Sequence, residues 1–394
     1  MEKWIMILGA GFDQLMIIKT AKSMGLKVVV VDRDKDAPGF RMCDESHNVD
    51  IMDFDKVLNI SREKKISGIT TMVSNLGMRT VAYVAEKMNL PSIPPKAAQA
   101  ATDKKTIKKL LKEGGVPIPE GFSASSYEEA LDRLHKVHFP VIVKPVDGTK
   151  GRGINAASAE GELQYGIDQA LKYSPAGNVI VEEWIDGPTV GAECLIIDGI
   201  LEPIIITDKY NTPPPKCVTV GLNAPARLSD PVRKRVKDTA RKVAEVLGLN
   251  TGAAHIDMIV DNNDVPRVID VGPRLASGPV IFDFVPNLLG VNMIQAVIQM
   301  AIGEKPQIEK IWNGKYAASR FLTVSEKGYM YRIEIPKTQR GFTFYQFKEL
   351  GEVVRPPLSD TDRIGCITIK EDSYEKVVKD ADKLLDAIKV SVVY

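Results

Sequence analysis

The chain predicts an α/β protein built of several packed units, and three observations carry that expectation. Its 394 residues exceed what one hydrophobic core ordinarily serves. In the first part, short continuous apolar runs alternate with segments of helical period, as in a parallel sheet covered on both faces. The proline cluster Pro91–Pro95 then breaks that rhythm, and later strands alternate polar and apolar positions around short turns.

Taken in order, Trp4–Leu8 reads as a buried strand, Gly9-Ala10-Gly11 as a turn and Asp13–Met24 as an amphipathic helix. Val28–Val31 is a β-branched run ending at Asp32, Ile69–Val73 a third strand, and Met78–Met88 another helix. These elements form a Rossmann-like unit over 1–95. Its GAGFDQ turn imitates a dinucleotide fingerprint but carries Gln14 where the third glycine would stand. The turn reads instead as a tight strand-to-helix corner able to hold a carboxylate or phosphate.

A second unit spans 96–185: Thr102-Asp103 caps a helix KKTIKKLLKE closed by Gly114-Gly115, a further helix covers Ser126–Lys136, and Val141–Lys144 and Val179–Glu182 are strands. In a third unit, 186–305, strands are expected near Gly191–Ile197, Leu201–Thr207, His255–Val260 and Val268–Val271. Between them Ser229-Asp230 and Pro231 start a helix whose inner face is Val232, Val236, Ala240, Val243 and Leu247. Residues 306–394 form an α+β extension whose last element is an amphipathic helix, Ser373–Ile388.

Composition narrows the class. Apolar content of 44% and charged content of 26% are ordinary for a soluble globular protein. A net charge of +1 gives no reason to expect nucleic-acid or acidic-membrane partners. No apolar run approaches the ~20 residues of a membrane span, and the N-terminus lacks the pattern of a signal peptide. Four scattered cysteines (Cys43, Cys194, Cys217, Cys366) show no CxxC spacing. A reduced, cytoplasmic protein without structural zinc is the expectation.

Chemistry concentrates in Phe139–Ile154, FPVIVKPVDGTKGRGI. A strand delivers Lys144, a proline stops it, and a loop follows in which Lys150 and Arg152 alternate with Gly148, Gly151 and Gly153. Glycines let backbone N–H groups converge on an anion and the cations neutralise it. The loop is not the GxxxxGK[ST] phosphate loop. In VIVEEWIDGP, Glu182 ends a strand and could accept from an exocyclic amine; an edge strand running into a turn is the bland alternative. Asp257 and Asp270 lie on strands separated by the turn Asn262–Asp264, so a hairpin would set them side by side, as a magnesium ion bound to phosphate requires. Two exposed strand aspartates are the alternative, but aspartate is depleted in strands. Arg274 follows in a flexible loop, positioned to stabilise developing negative charge. His255 shares a face with Asp257; a structural role is the commoner fate of such a histidine.

In this order the segments TDKKTIKKLLKEGGVPIP, PVIVKP with its glycine loop, VEEWIDGP and IDMIV…VIDVGPR resemble the ATP-grasp superfamily over essentially the whole chain. The likeness is to its carboxylate–amine ligases, both amino-acid ligases and carbamoyl-phosphate-synthase-like units. It implies an ATP-grasp architecture: a Rossmann-like domain, a small lid, a larger ATP-binding domain and a C-terminal extension. It further implies that Lys104 and Lys144 contact ATP phosphates and that residues 148–153 close over them. Glu182 would hold the adenine amine, with Glu183 and Ile185 offering backbone bonds. Asp257 and Asp270 would carry Mg2+, with Mn2+ as a substitute, and Arg274 would stabilise the acyl-phosphate and tetrahedral intermediate. The implied activity joins a small-molecule carboxylate to an amine, of an amino acid or small peptide, through an acyl-phosphate. Substrate contacts would come from Ser74–Leu76, Asp208–Lys216 and Arg274–Pro279, and a homodimer is implied by resemblance alone. Three positions depart from the pattern: Thr189 stands where many relatives have glutamate, Asp270 where glutamate is usual, and Gly272 where asparagine is common. Bicarbonate phosphorylation and ATP binding without turnover stay open as alternatives. A nicotinamide-dependent dehydrogenase would leave the central constellation unexplained.

Overall fold

In the computed structural model, which describes residues 2–336 and 341–394, four sheets organise the chain. The first contains β1 (Trp4–Leu8), β2 (Lys27–Asp32), β3 (Glu45–Asn48) and β4 (Gly68–Thr70), all parallel, in the order β3-β2-β1-β4. Strands β1 and β2 are apolar throughout their centres because helices cover both faces. The second contains β5 (Gly121–Ala124), β6 (Val141–Pro145), β7 (Asn155–Ala157) and β8 (Val179–Glu183), antiparallel, in the order β5-β8-β6-β7.

Six further strands follow: β9 (Thr189–Ile197), β10 (Ile200–Asn211), β11 (Thr219–Ala224), β12 (Gly252–Val260), β13 (Pro266–Gly272) and β14 (Tyr316–Leu322). The chain ends with β15 (Gly328–Glu334), β16 (Phe342–Gln346), β17 (Val353–Val354), β18 (Gly365–Glu371) and β19 (Lys389–Val393). An eight-stranded sheet runs β13-β12-β9-β10-β11-β14-β18-β16, so residues beyond 305 extend the same sheet that carries Asp257 and Asp270. Strand β15 pairs with β17 and β19 in a small separate sheet.

The helix Asp230–Leu247 packs on the large sheet through Val232, Val236, Ala240, Val243 and Leu247, the face its period predicts, with Ala244 added. Its left-handed Gly248 ends it. Some expected elements change shape. The helix expected at Asp13–Met24 starts as a 3-10 turn, Phe12–Gln14, and becomes α only over Leu15–Ser23. The buried Gln14 amide donates to the Met72 carbonyl and holds that corner. The strand expected at Ile69–Val73 stops at Thr70, because Val73 adopts φ 65° and donates its N–H to the Leu275 carbonyl. The helix Tyr374–Ala387 is not the last element. Ile388 is extended, and the alternating KVSVV that follows forms β19. Among the described residues no single helix is long and apolar enough to cross a membrane.

Candidate active site

The lysines and acids expected to carry chemistry come from three separate stretches, and the fold brings most of them together. Glu182, at the end of β8 and 2% exposed, is the hub. Lys144 on the neighbouring strand β6 donates to its Oε2 at 2.8 Å. Lys108, one turn after Lys104 in the helix Lys104–Glu113, reaches Oε1 at 2.5 Å. Lys108 also donates to the Val268 carbonyl of β13, tying the helix to the strand that carries Asp270. Burial alone would raise the Glu182 carboxyl; the Lys108 and Lys144 ammoniums outweigh it and bring it down to about 2. Burial pulls the Lys108 ammonium below the usual lysine range despite Glu182.

A carboxyl held at about 2, against an ordinary 4.5, stabilises the fold above pH 4.5, and that stabilisation disappears as pH falls through 2. Urea unfolding at stepped pH is expected to show a steep loss across this window in the natural protein. The loss should be shallower in Glu182→Gln, which has no such proton to take up. Parallel slopes would mean that Glu182 is not ionised between the lysines.

Lys104 starts its helix under the side-chain cap of Asp103. Its ammonium lies 3.6 Å from Asp270 Oδ1 and 3.4 Å from the Gly148 carbonyl, so it bridges glycine loop and acid. Strands β12 and β13 pair antiparallel with Asp257 directly opposite Asp270. Asp257 accepts from the Lys209 ammonium at 2.7 and 2.8 Å and lies 3.1 Å from His255 Nε2. The other nitrogen of His255, Nδ1, is 2.7 Å from Glu193 Oε1. Burial would lower the imidazole; the Glu193 and Asp257 carboxylates override it and raise it to about 9, so His255 is a cation at neutral pH. Asp257 is driven far below the usual carboxylate range, burial opposing and Lys209 and His255 prevailing. Asp270 is also lowered: burial and the Asp257 charge oppose this, and Lys104, Arg274 and Lys144 together prevail.

Arg274 leaves β13 and folds back over it. A Cβ placed on Gly272 would lie 2.6 Å from the Arg274 Cζ, so the absent side chain is what gives the guanidinium its seat. The buried Arg274 Nε and Glu193 Oε2 have no hydrogen-bond partner among the described residues. Burial lowers the Arg274 guanidinium below its usual range, against the pull of Asp270, Glu193 and Asp257.

The glycine loop is only partly aimed at this cluster. Gly151 and Gly153 take φ 71° and 78°, and Lys150 itself takes φ 58°. Lys150 reaches 3.2 Å to Asp13 of the first unit, and its carbonyl accepts from the Asp360 N–H. Arg152 instead donates to Thr149 and lies 5.7 Å over the Tyr173 ring. Glu183 donates its N–H to the Glu120 carbonyl, which leaves its own carbonyl as the backbone group to present; Ile185 follows just beyond β8.

Three residues of the cluster escaped the sequence reading: Lys108, Glu193 and Lys209. Lys108 hides among lysines that look like a solvated helix face. Lys209 lies in the segment Asp208–Lys216, where β10 runs on to Asn211. Glu193 carried a usable signal, since one acid inside the apolar strand Thr189–Ile197 is costly unless paired.

The donor chemistry fits magnesium. Two hard carboxylates face one another with no sulfur ligand, and magnesium takes one or two carboxylates and completes its shell with phosphate and water. Among the described residues no group of three or more His, Cys, Asp and Glu is arranged to hold a metal alone.

Comparison with known proteins follows the same residues. Residues 103–308 match the family described as carbamoyl-phosphate synthase L chain, ATP binding domain. An uncharacterized protein, y4rH, of Sinorhizobium fredii is 30% identical over 267 residues, 67% of this chain and 54% of that protein. The chain thus spans about half the length of the curated relative it matches. Among solved structures, L-amino acid ligase from Bacillus licheniformis is similar at TM-score 0.89 and 22% identity, covering 100% of this chain and 99% of that one. Phosphoribosylglycinamide synthetase from Anaerococcus prevotii gives TM-score 0.77 and 24% identity, covering 100% of both.

Proposed function

We propose, for a chain that belongs to the family of the carbamoyl-phosphate synthase L chain ATP-binding domain and has the ATP-grasp fold, that it is an ATP- and Mg2+-dependent ligase. It activates a carboxylate as an acyl-phosphate and couples it to an amine, of an amino acid or small peptide. The observation that carries this reading is the pairing of Asp257 with Asp270 beside Lys104 and Arg274.

Each residue has a job in that chemistry. Lys104 and Lys144 neutralise phosphate oxygens, and Glu182 keeps Lys144 and Lys108 ordered until the nucleotide arrives. Asp257 and Asp270 would hold magnesium, which when bound offsets the charge of the β- and γ-phosphates as a carboxylate approaches. Lys209 and His255 offset the charge of Asp257 until then. Arg274, seated over Gly272, meets the charge that develops on the acyl oxygen as the amine attacks. Exclusion of water by the glycine loop protects the acyl-phosphate from hydrolysis. No side-chain nucleophile is needed. Likeness of fold to L-amino acid ligase supports amino-acid substrates.

Gly272→Ala is expected to leave stability nearly unchanged, because the end of a flexible arginine can move away from the new methyl group. It should lower kcat by roughly tenfold to a hundredfold by re-aiming Arg274. Steady-state kinetics beside a thermal melt checks both; an unchanged kcat would remove Arg274 from the transition state.

The function itself is tested by ADP and phosphate release from Mg-ATP against amino acids, singly and in pairs, with mass spectrometry of products and a bicarbonate arm. Pair-dependent release and a product lighter than its parents by one water is the expected result. Release dependent on bicarbonate alone would favour the carbamoyl-phosphate-synthase-like reading that the family match also supports. ATP binding without release under any condition would support a non-catalytic role.

A further inference from the structure

A cavity of about 700 Å³ shares no lining residue with the lysine and aspartate cluster. Its origin is a gap in the large sheet. Strand β11 pairs with β10 only from Asp208 to Asn211, so the edge Pro203–Thr207 has no strand beside it there. A register shift falls between Pro203 and Ile205, and two contacts reach this edge: the Ala226 N–H donates to the Ile206 carbonyl at 2.7 Å and the Lys310 ammonium to the Pro203 carbonyl at 3.2 Å.

The walls have a definite chemistry. Ile204, Leu228 and Leu289 supply an apolar floor. Trp312, Tyr316 and Tyr374 form an aromatic wall, with successive ring centroids 5.8 and 6.1 Å apart and edge-to-face at 86° and 89°. Trp312 keeps 51% of its surface exposed. Four cations line the cleft, Arg227, Arg233, Lys237 and Lys310, against two acids, Asp372 and Glu375. Both acids are already paired, Asp372 with Lys315 at 2.9 Å and Glu375 with Arg227 at 3.4 Å. Lys310 pairs with Glu202, and Arg233 donates to the Ala226 and Leu228 carbonyls. Arg233 also makes no ion pair among the described residues, but its guanidinium is engaged by those carbonyls; half-buried Lys237 makes neither an ion pair nor a side-chain hydrogen bond among them, so its ammonium is open to a ligand.

We propose that this cleft is a second small-molecule site, for a flat aromatic carboxylate whose ring lies against Trp312 and Tyr374 and whose acid group meets Lys237. The volume falls within the range of ~300–1,000 Å³ of small-molecule sites, and an apolar body with one placed charge is the usual recognition chemistry of such pockets. Charge sets the sign of the ligand, because the cations outnumber the acids and the acids are engaged. This assignment does not depend on the ligase reading.

The test is titration of the full chain with 2-naphthoate, by calorimetry and saturation-transfer NMR, with 2-naphthylmethylamine as the cationic control. Saturable one-to-one binding of the acid, weak or absent binding of the amine, and no displacement by saturating ATP are expected. Lys237→Glu and Trp312→Ala should each weaken naphthoate about tenfold while leaving ATP affinity unchanged. Lys237 lies on the surface of a long helix, so its variant keeps the test valid if Trp312→Ala fails to fold. Absence of saturable binding, equal binding of the amine, displacement by ATP, or indifference to Lys237→Glu would each overturn the proposal. So would sedimentation showing that Trp312→Ala splits a dimer, which would make the cleft a subunit interface.

Discussion

Asp270→Asn is expected to lower ATP turnover roughly 10³-fold while the protein stays folded. Asp270 faces Asp257 across the β12–β13 pair and has only a 3.6 Å contact to Lys104 holding it. An amide of the same shape turns that ion pair into an ion–dipole contact and would deprive magnesium of a charged ligand. The loss should therefore show as weakened Mg2+ dependence of nucleotide binding in calorimetry, with little change in melting temperature. Asp257→Asn is a poorer test of the same point. It strips the counter-charge from both Lys209 and His255, so lost activity and lost stability would be confounded. Undiminished turnover by Asp270→Asn would place the metal elsewhere.

Glu182→Ala is expected to cost about 3–5 kcal/mol of folding stability, the usual penalty for removing one member of a buried ionic group. Two ammoniums, Lys108 and Lys144, share this one carboxylate, and its removal leaves both in a site of low polarity. Denaturant titration checks the size of the effect. Adding Lys108→Met to Glu182→Ala should recover part of the loss, because one stranded charge is then gone. If the single variant is as stable as the natural protein, the lysines are solvated and the hub carries no structural weight. The same substitution should weaken ATP binding, since Lys144 loses the contact that orients it.

Local pattern made parts of this molecule legible beforehand. The inner face of Asp230–Leu247 followed from helical period, and the Asp257–Asp270 pairing from two strands around a tight turn. Both depend on residues close in sequence. What escaped the reading depends on distant partners. Strands β14, β18 and β16 join the large sheet beyond β11, and no local signal says which edge a strand will extend. Lys108 reads as surface until Glu182 is known to sit beneath it. Arg152 reads as a phosphate ligand, but Tyr173 from the following helix region offers its ring instead. Gly272 reads as a missing ligand, whereas in the fold it makes room for Arg274. Spacing gives the residue types near a reaction; the pairing that sets their charge and aim comes from the assembled fold.

In the proposed reaction a carboxylate is phosphorylated before the amine attacks. Once a productive pair of substrates is found, the decisive measurement is isotope transfer from a carboxylate substrate labelled with 18O at both oxygens. Phosphorylation joins a carboxylate oxygen to phosphorus, and amine attack then releases that oxygen with the phosphate. Mass spectrometry should therefore find one 18O in the inorganic phosphate and one in the amide product. Unlabelled phosphate alongside amide product would contradict an acyl-phosphate route and require that ATP be used in another way.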